Sequence, residues 1–360
     1  MNKILSVCIP TFNRAEQLNN QLAWLAKEIK GFEDECEVIV SDNCSTDNTQ
    51  DIINEWQPFF DRTTFKSNKN SENIGWMRNF VYCLNASISQ YTWIIGDDDL
   101  IFEGTLAYLL TTLKEKPDLS LLYLNFSGRH RETGQVIGEH WFDTNLEKDI
   151  SDGTTIFQYC IEKNIGAVIF ITATVFRTNL AQIALQNWPA SINNWGGLAY
   201  WTGFCASQGS VLVTKDNYIE CTMGVSYWHK DPKAWFKIIH QDIPEVYVKL
   251  QTIGYNRIFC KRMILNILKE DLIFKNAMAN IKYYLWCLKT SPLWFMSVVV
   301  HFLAFMCAVV MFDVHEKIDY FSKQLNKLHF THRKSANKIL SKSEVLLKSE
   351  SVSKLFTIIT

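Results

Sequence analysis

YTWIIGDDDL, residues 91–100, decides the fold, because an apolar run there ends abruptly in three adjacent carboxylates. Residues 91–95 have the unbroken apolar and aromatic character of a strand covered on both faces. Asp97, Asp98 and Asp99 then repel one another and are costly in a dry loop unless something positive neutralises them. A hard cation, magnesium or manganese, that completes its shell with diphosphate oxygens is one solution. A solvated acidic turn capping a helix that starts near residue 103 is the other.

On both sides of this stretch the chain alternates strands and helices. Strands are expected at 4–9, 37–40, 64–67, 91–95 and 119–124, and helices at 15–29, 46–56, 75–86 and 103–114, the first with Leu18, Leu22, Leu25 and Ile29 at helical spacing. This is the pattern of a doubly wound α/β sheet, which binds its ligands beyond the carboxyl ends of the strands. Polar clusters stand at those ends: PTFNR at 10–14, SDNCSTDNT at 41–49, NKNSENIG at 68–75 and GDDD at 96–99. Asp42 and Asn43 close the second strand, where a carboxylate can accept from a base or ribose. Asp47 sits where a helix N-cap is expected. Asn73, Gly75 and Arg78 open the third helix, and Arg78 on its first turn can reach phosphate.

Other classes are excluded by composition and motif. Of 360 residues 48% are hydrophobic and 20% charged, enough for a substantial core. With 36 basic against 37 acidic side chains there is no global positive field to hold nucleic acid. Ten cysteines without a C-x-x-C pair read as buried hydrophobes in a reducing compartment, and the first residues lack the pattern of a secretory signal, so a cytoplasmic start is expected. The first glycine is Gly31, so the first strand cannot lead into a glycine-rich phosphate loop, and no G-K-[ST], H-E-x-x-H or G-x-S-x-G string occurs.

Together the four motifs CIPTFNR, VIVSDNCSTDNT, SENIGWMRNF and WIIGDDDL resemble the nucleotide-diphosphosugar domain of family 2 glycosyltransferases of GT-A fold, in particular the bacterial O-antigen and capsule enzymes of the abequosyltransferase-like group. The resemblance covers residues 4–125. It implies a nucleoside diphosphate sugar donor, a divalent metal (Mg or Mn) and, usually, inversion at the anomeric carbon. It places Pro10, Thr11, Asn13 and Asp42 around base and ribose, with Arg78 nearby, and Asp97, Asp98 and Asp99 in the metal motif; Asn43 and Asn73, by their positions at the strand end and helix start, are expected to join the nucleotide-sugar site. Asp98 and Asp99 are favoured as ligands, with Asp99 as the catalytic carboxylate. Many relatives read D-S-D-D where this chain reads G-D-D-D. A late histidine, here His229, completes metal or diphosphate binding in such folds.

The second half departs from the family pattern. The acidic pair that supplies the acceptor's general base in many relatives is replaced by Asn193 and Asn194 within residues 187–209, a stretch without a carboxylate. Asp216, Glu220, Asp231 and Asp242 remain as candidates. Trp195, Tyr200, Trp201, Tyr227 and Trp228 are available to stack on sugars or to fill the core. Residues 292–312 carry no formal charge and match a membrane helix in length, a buried core helix being the competing reading. Lysines flank that segment, and residues 313–360 hold nine basic against five acidic side chains.

The sequence is therefore expected to fold as an α/β GT-A domain with nucleotide-binding (1–125) and acceptor-binding (126–255) halves, followed by a helical membrane-associating region (256–360). Its expected role is transfer of a sugar to a lipid-linked saccharide at the cytoplasmic face of the plasma membrane. Segment 292–312 is expected to be re-entrant or interfacial, because the basic tail opposes export. A catalytically silent sugar-nucleotide-binding scaffold is the alternative. A nucleotidyltransferase is disfavoured, since PTFNR lacks the glycine-rich basic loop that such enzymes need.

Overall fold

The computed structural model describes residues 3–144, 152–224 and 231–272, and within 281–303 residues 281, 285, 288–289, 291–300 and 302–303. Two compact units divide the chain, residues 1–267 and 268–360. The first is built on β1 (Leu5–Thr11), α1 (Ala15–Glu28), β2 (Cys36–Asp42), α2 (Thr49–Trp56), β3 (Thr64–Lys69), α3 (Trp76–Ala86) and β4 (Tyr91–Ile94). β5 (Leu100–Ile101), α4 (Thr105–Glu115), β6 (Leu119–His130) and β7 (Val136–Gly138) follow. Then come α5 (Gly153–Lys163), α6 (Ile165–Val168), β8 (Thr174–Arg177), α7 (Thr178–Asn187), α8 (Gly197–Ser207), β9 (Ser210–Met223), α9 (Pro232–Lys237), α10 (Ile243–Thr252) and α11 (Arg257–Leu272).

Among the described residues the strands form one sheet in the order β3-β2-β1-β4-β8-β6-β9-β5, with β7 paired to β6. β3, β2, β1 and β4 are mutually parallel, as the strand–helix alternation predicts. β8 runs antiparallel to both β4 and β6, and this reversal makes the sheet mixed. β1 and β2 are buried along their whole length, which explains why both read as continuous apolar runs. Strand β6 continues through residue 125, where its register with β9 shifts, and pairs with β9 through residue 130, so the two expected halves share one sheet.

Tyr200 and Trp201 are fully buried in α8, and the Trp201 indole donates to Ser191 Oγ. They are core side chains and do not stack on sugars. Tyr227, Trp228 and His229 lie outside the described residues, as do residues 304–312 of the apolar segment. The described part of that segment includes a helical run over 292–300, with Leu293, Met296 and Val300 exposed. Among the described residues no helix is long and apolar enough to cross a membrane.

One buried charge ties the parallel strands together. Glu37 on β2 is wholly inaccessible; its Oε1 accepts from Ser6 Oγ on β1 (2.5 Å) and from the Ile88 amide (2.8 Å), and its Oε2 from Lys66 Nζ on β3 (2.8 Å). Burial opposes the charge, but the Ile88 amide, Lys66 and Ser6 outweigh it and hold the carboxyl below its ordinary range. Replacing Glu37 with Ala strands Lys66 together with donors on Ser6, Ile88 and Ser89, and is expected to cost about 3 kcal/mol of stability at pH 7. The native state binds fewer protons here than the unfolded chain, so this contribution is complete above the unfolded value of about 4.3 and disappears as pH falls through the lower folded value. Denaturant unfolding of wild type and Glu37→Ala at pH 7 and pH 3.5 checks this: the difference between them should shrink at the lower pH.

Candidate active site

The strand ends bring together the residues singled out in the first 100 positions. Thr11 closes β1 with its Oγ1 donating to Asp97 Oδ2 at 2.7 Å, and Pro10 beside it pairs in register with Ser41. Asn13 follows at φ 52°, a left-handed conformation that asparagine tolerates, and its Oδ1 accepts from the Thr46 amide at 2.8 Å. The β1–α1 and β2–α2 loops are thereby locked together. Asp47 reinforces the lock as a double cap, accepting from the amides of Ala15 at the start of α1 and Thr49 at the start of α2, both at 3.1 Å. The helix-capping reading of this residue describes its geometry.

Asp42 is fully buried, with Oδ1 accepting from the Ser45 amide (2.8 Å) and Oδ2 from Gln50 Nε2 (2.6 Å), so it shapes the β2–α2 loop from beneath. A network of asparagines carries this order to the next strand. Asn43 donates to Asn73 Oδ1 (2.8 Å) and accepts from the Ile74 amide (3.0 Å), while Asn70 donates to both Asn43 and Asn79 (3.1 Å each). Gly75, at φ 84°, then turns the chain into α3 and leaves Arg78 exposed on its first turn.

The GDDD loop is held from four directions. Asp97 is buried, receiving Thr11 on one oxygen and Arg14 Nη1 on the other (2.7 Å), and the same Nη1 lies 2.8 Å from Asp98 Oδ2. Burial raises the Asp97 carboxyl above its usual range, with Arg14 and Thr11 opposing. Burial also works against the Arg14 cation, yet Asp97 and Asp98 together raise its pKa. Asp98 opens on a cleft of about 430 Å3. Asp99 turns its carboxyl inward, where Oδ2 accepts from Thr172 Oγ1 at 2.5 Å. Gln21 on α1 donates to the carbonyls of Gly96 (2.7 Å) and Asp99 (3.0 Å), and Thr222 on β9 donates to that of Asp98 (2.9 Å).

Gly96 owes its place to this packing. A Cβ there would stand 2.6 Å from Asp99 Oδ2 and 3.3 Å from Thr172 Oγ1. The inward rotamer of Asp99 thus leaves no room for a side chain at position 96.

Arg14, Gln21, Thr172 and Thr222 were not legible as site residues. Arg14 stands inside PTFNR, but nothing in the string says that its guanidinium bridges two carboxylates more than 80 positions away. Of the four carboxylates considered as a base, Glu220 lines the cleft, in a bidentate pair with Arg129 (2.7 and 2.9 Å). Asp231 caps α9, and Asp216 is exposed. Asp242 is buried against Lys237 (2.6 Å) and the Trp195 amide (3.1 Å), while Asn194 bonds to the Asp242 carbonyl and to Glu245.

The acid motif holds hard oxygen donors with a surplus of negative charge, the chemistry that suits a divalent cation. Among the described residues no three His, Cys, Asp or Glu side chains come together as a cation site, and Arg14 shares its single charge between Asp97 and Asp98. Asp99 is not the solvated loop carboxylate that the string suggests. Burial, and then the neighbouring Asp98 charge, push its pKa to about 7. The native state therefore holds a proton that the unfolded chain releases near pH 4, and the fold loses stability as pH rises from about 4 to about 7. Asp99→Asn abolishes that slope. Thermal melts in chelator should show the variant gaining on wild type between pH 5 and pH 8.

Comparison with known proteins gives sequence relatives and a fold. Residues 6–159 match the family described as Glycosyl transferase family 2. The chain is 36% identical over 156 residues to the abequosyltransferase RfbV of Salmonella typhimurium, covering 41% of this chain and 46% of that protein. It is 31% identical over 111 residues to the GalNAc(5)-diNAcBac-PP-undecaprenol beta-1,3-glucosyltransferase of Campylobacter jejuni, covering 31% of this chain and 35% of the other. The match thus spans less than half the length of either curated relative. In three dimensions the chain resembles S. aureus TarS 1-349, with a TM-score of 0.54 at 17% identity over 76% of this chain and 73% of that one. It also resembles the mannosyltransferase PcManGT of Pyrobaculum calidifontis, solved with GDP-Man and Mn2+, with a TM-score of 0.50 at 13% identity over 88% of each chain. The mixed α/β sheet fits the GT-A fold, and residues 6–159 match the model of glycosyl transferase family 2.

Proposed function

We propose that this protein is a glycosyltransferase that moves a sugar from a nucleoside diphosphate sugar to a lipid-linked saccharide during assembly of a bacterial surface polysaccharide. The observation that carries this reading is the gathering of Thr11, Asn13, Asp42, Asn43, Asn73 and Arg78 at the carboxyl ends of β1–β3, beside the GDDD loop that ends β4. Nucleotide and diphosphate need those two neighbouring environments, one rich in hydrogen-bonding groups and one able to manage charge. The name of the Campylobacter relative supports a sugar transferred to a polyprenyl-linked saccharide, and that of the Salmonella abequosyltransferase supports glycosyl transfer.

Asp98 and Asp99 would hold a divalent cation, magnesium or manganese, once Arg14 yields Asp98 and the Asp99 carboxylate turns out from Thr172. When bound, the ion supplies neutralisation of the departing diphosphate. Arg78 is placed to meet phosphate charge from the α3 side, and Thr11 and Arg14 hold Asp97 so that the loop keeps its shape. In an inverting transfer the acceptor oxygen attacks the anomeric carbon as the diphosphate leaves, and the acceptor proton goes to a base. Glu220 is the cleft carboxylate among those considered for that role. The competing reading, a silent sugar-nucleotide-binding scaffold, is favoured by the amides Asn193 and Asn194 where an acidic pair would stand.

Purified protein should release nucleoside diphosphate from one member of a panel of labelled sugar nucleotides, with magnesium or manganese present and a lipid-linked acceptor supplied. Asp98→Asn should lower turnover at least 100-fold while the protein remains folded. Donor binding without any turnover by wild type would favour the scaffold. The anomeric configuration of the product, read by NMR, tests inversion.

The apolar segment 292–312 and the basic tail support attachment at the cytoplasmic face of the membrane through a re-entrant or interfacial segment. A cysteine added after Thr360 should stay unlabelled by an impermeant reagent outside intact cells. Labelling from outside would show that the segment spans.

A further inference from the structure

The cleft of about 430 Å3 beside the GDDD loop, within the usual size of small-ligand sites, leads away from the nucleotide end. One wall is α1, where Gln17, Asn20, Gln21 and Trp24 recur at helical spacing beside the buried stripe of Leu18, Leu22 and Leu25. Gln21 is spent on the acid loop, but the amides of Gln17 and Asn20 have no side-chain partner among the described residues. The facing wall is the far end of β6 and β9. There Arg129 and Glu220 fix each other in a planar pair, and the guanidinium of Arg131 is exposed, with no ion-pair partner among the described residues. Between the walls, Leu100 leaves 57% of its surface exposed beside Trp24.

This combination has a definite ligand chemistry. Two unengaged amides, a bidentate guanidinium–carboxylate pair and an unpaired guanidinium offer donors and acceptors together, which suits the paired hydroxyls of a sugar. Leu100 and Trp24 offer apolar surface to the C–H face of the ring. An alkyl chain in the cleft would desolvate these polar groups without pairing them. A nucleoside has its own environment at the ends of β1–β3. A donor laid out from there meets the acid loop with its diphosphate, and the cleft, lined by that loop but by none of the groups at the ends of β1–β3, is left for the molecule that approaches the donor.

We infer that this cleft, between α1 and the β6–β9 ribbon, is the binding site for the acceptor saccharide. The inference rests on the glycosyltransferase reading. It gives α1, an element of the nucleotide-binding half, a second duty, and it identifies Gln17, Asn20 and Arg131 as acceptor-recognising residues.

The test uses the full chain. Calorimetry with uridine, guanosine, cytidine and thymidine diphosphates identifies the nucleotide. Saturation-transfer NMR with a panel of methyl hexosides, deoxyhexosides and N-acetylhexosaminides, in the presence of that nucleotide, then reads saccharide binding. Wild type should bind at least one glycoside. Asn20→Trp, which fills the cleft from an exposed helix position, and the double variant Gln17→Ala/Arg131→Ala should each weaken that binding at least tenfold while nucleotide affinity changes less than twofold. Absence of glycoside binding by a wild type that binds nucleotide, or unchanged glycoside binding in both variants, overturns the inference and leaves the glycosyltransferase reading standing. Parallel loss of nucleotide and glycoside affinity in the folded double variant also overturns it, because the cleft would then belong to the donor. Failure of wild type to bind any nucleotide overturns the glycosyltransferase reading, and this inference with it.

Discussion

Three adjacent carboxylates at the end of β4 set the problem that the surrounding structure solves. Unopposed, they would repel one another at the edge of a sheet whose strands are buried, where charge is poorly screened. The chain meets each differently. Asp97 is buried and met by a hydroxyl and a guanidinium, Asp98 shares that guanidinium at the mouth of the cleft, and Asp99 turns inward to Thr172 with its proton affinity raised. The partners come from the β1–α1 loop, α1, the segment before β8, and β9. The motif thus couples parts of the chain that are far apart in sequence, and the fold and the site are one construction.

That construction depends on a change of strand direction. The parallel set β3-β2-β1-β4 creates the polar crevice at its carboxyl edge, as any doubly wound sheet does. It could not by itself supply a second wall. The antiparallel β8 lets β6 and β9 run parallel to the first strands and extend past them, and their far ends bring Arg129, Glu220 and Thr222 to the acid loop. The twelve residues of β6 and fourteen of β9 exceed the length of an average strand, and the surplus forms the cleft.

The nucleotide end follows a different logic, with amides where the acid loop uses charge. Asn13, Asn43, Asn70, Asn73 and Asn79 join four loops and elements through hydrogen bonds, with Asn43, Asn70 and Asn79 both donating and accepting, Asn73 accepting, and Asn13 tolerating a left-handed turn. Neutral amides give this rigidity without adding charge beside a site already surplus in it. Asp42 is buried among them with both oxygens engaged, so it sets the loop conformation on which the exposed groups depend.

The sequence by itself determined the strand–helix alternation of the first 125 residues, because burial on both faces leaves unbroken apolar runs and each helix repeats its own period. β1, α1, β2, β3, α3, β4 and α4 all lie within a few residues of the spacing read from hydrophobicity. It also placed the polar loops at the strand ends, since turns need residues that hydrogen-bond locally. The tertiary structure decided what those loops do to one another. Arg14 reaches Asp97 and Asp98 across 83 and 84 positions, and Thr172 reaches Asp99 across 73. Glu37 takes Lys66 from a strand that it neighbours only in the sheet. Neither the inward turn of Asp99 nor the burial of Tyr200 and Trp201 has a local signature, because a short polar or aromatic residue reads alike whether it faces solvent or core. Periodicity reports which face of an element is buried. Which charges meet, and which carboxylate is left to face the cleft, is set by the packing of strands that hydrophobic pattern alone does not order.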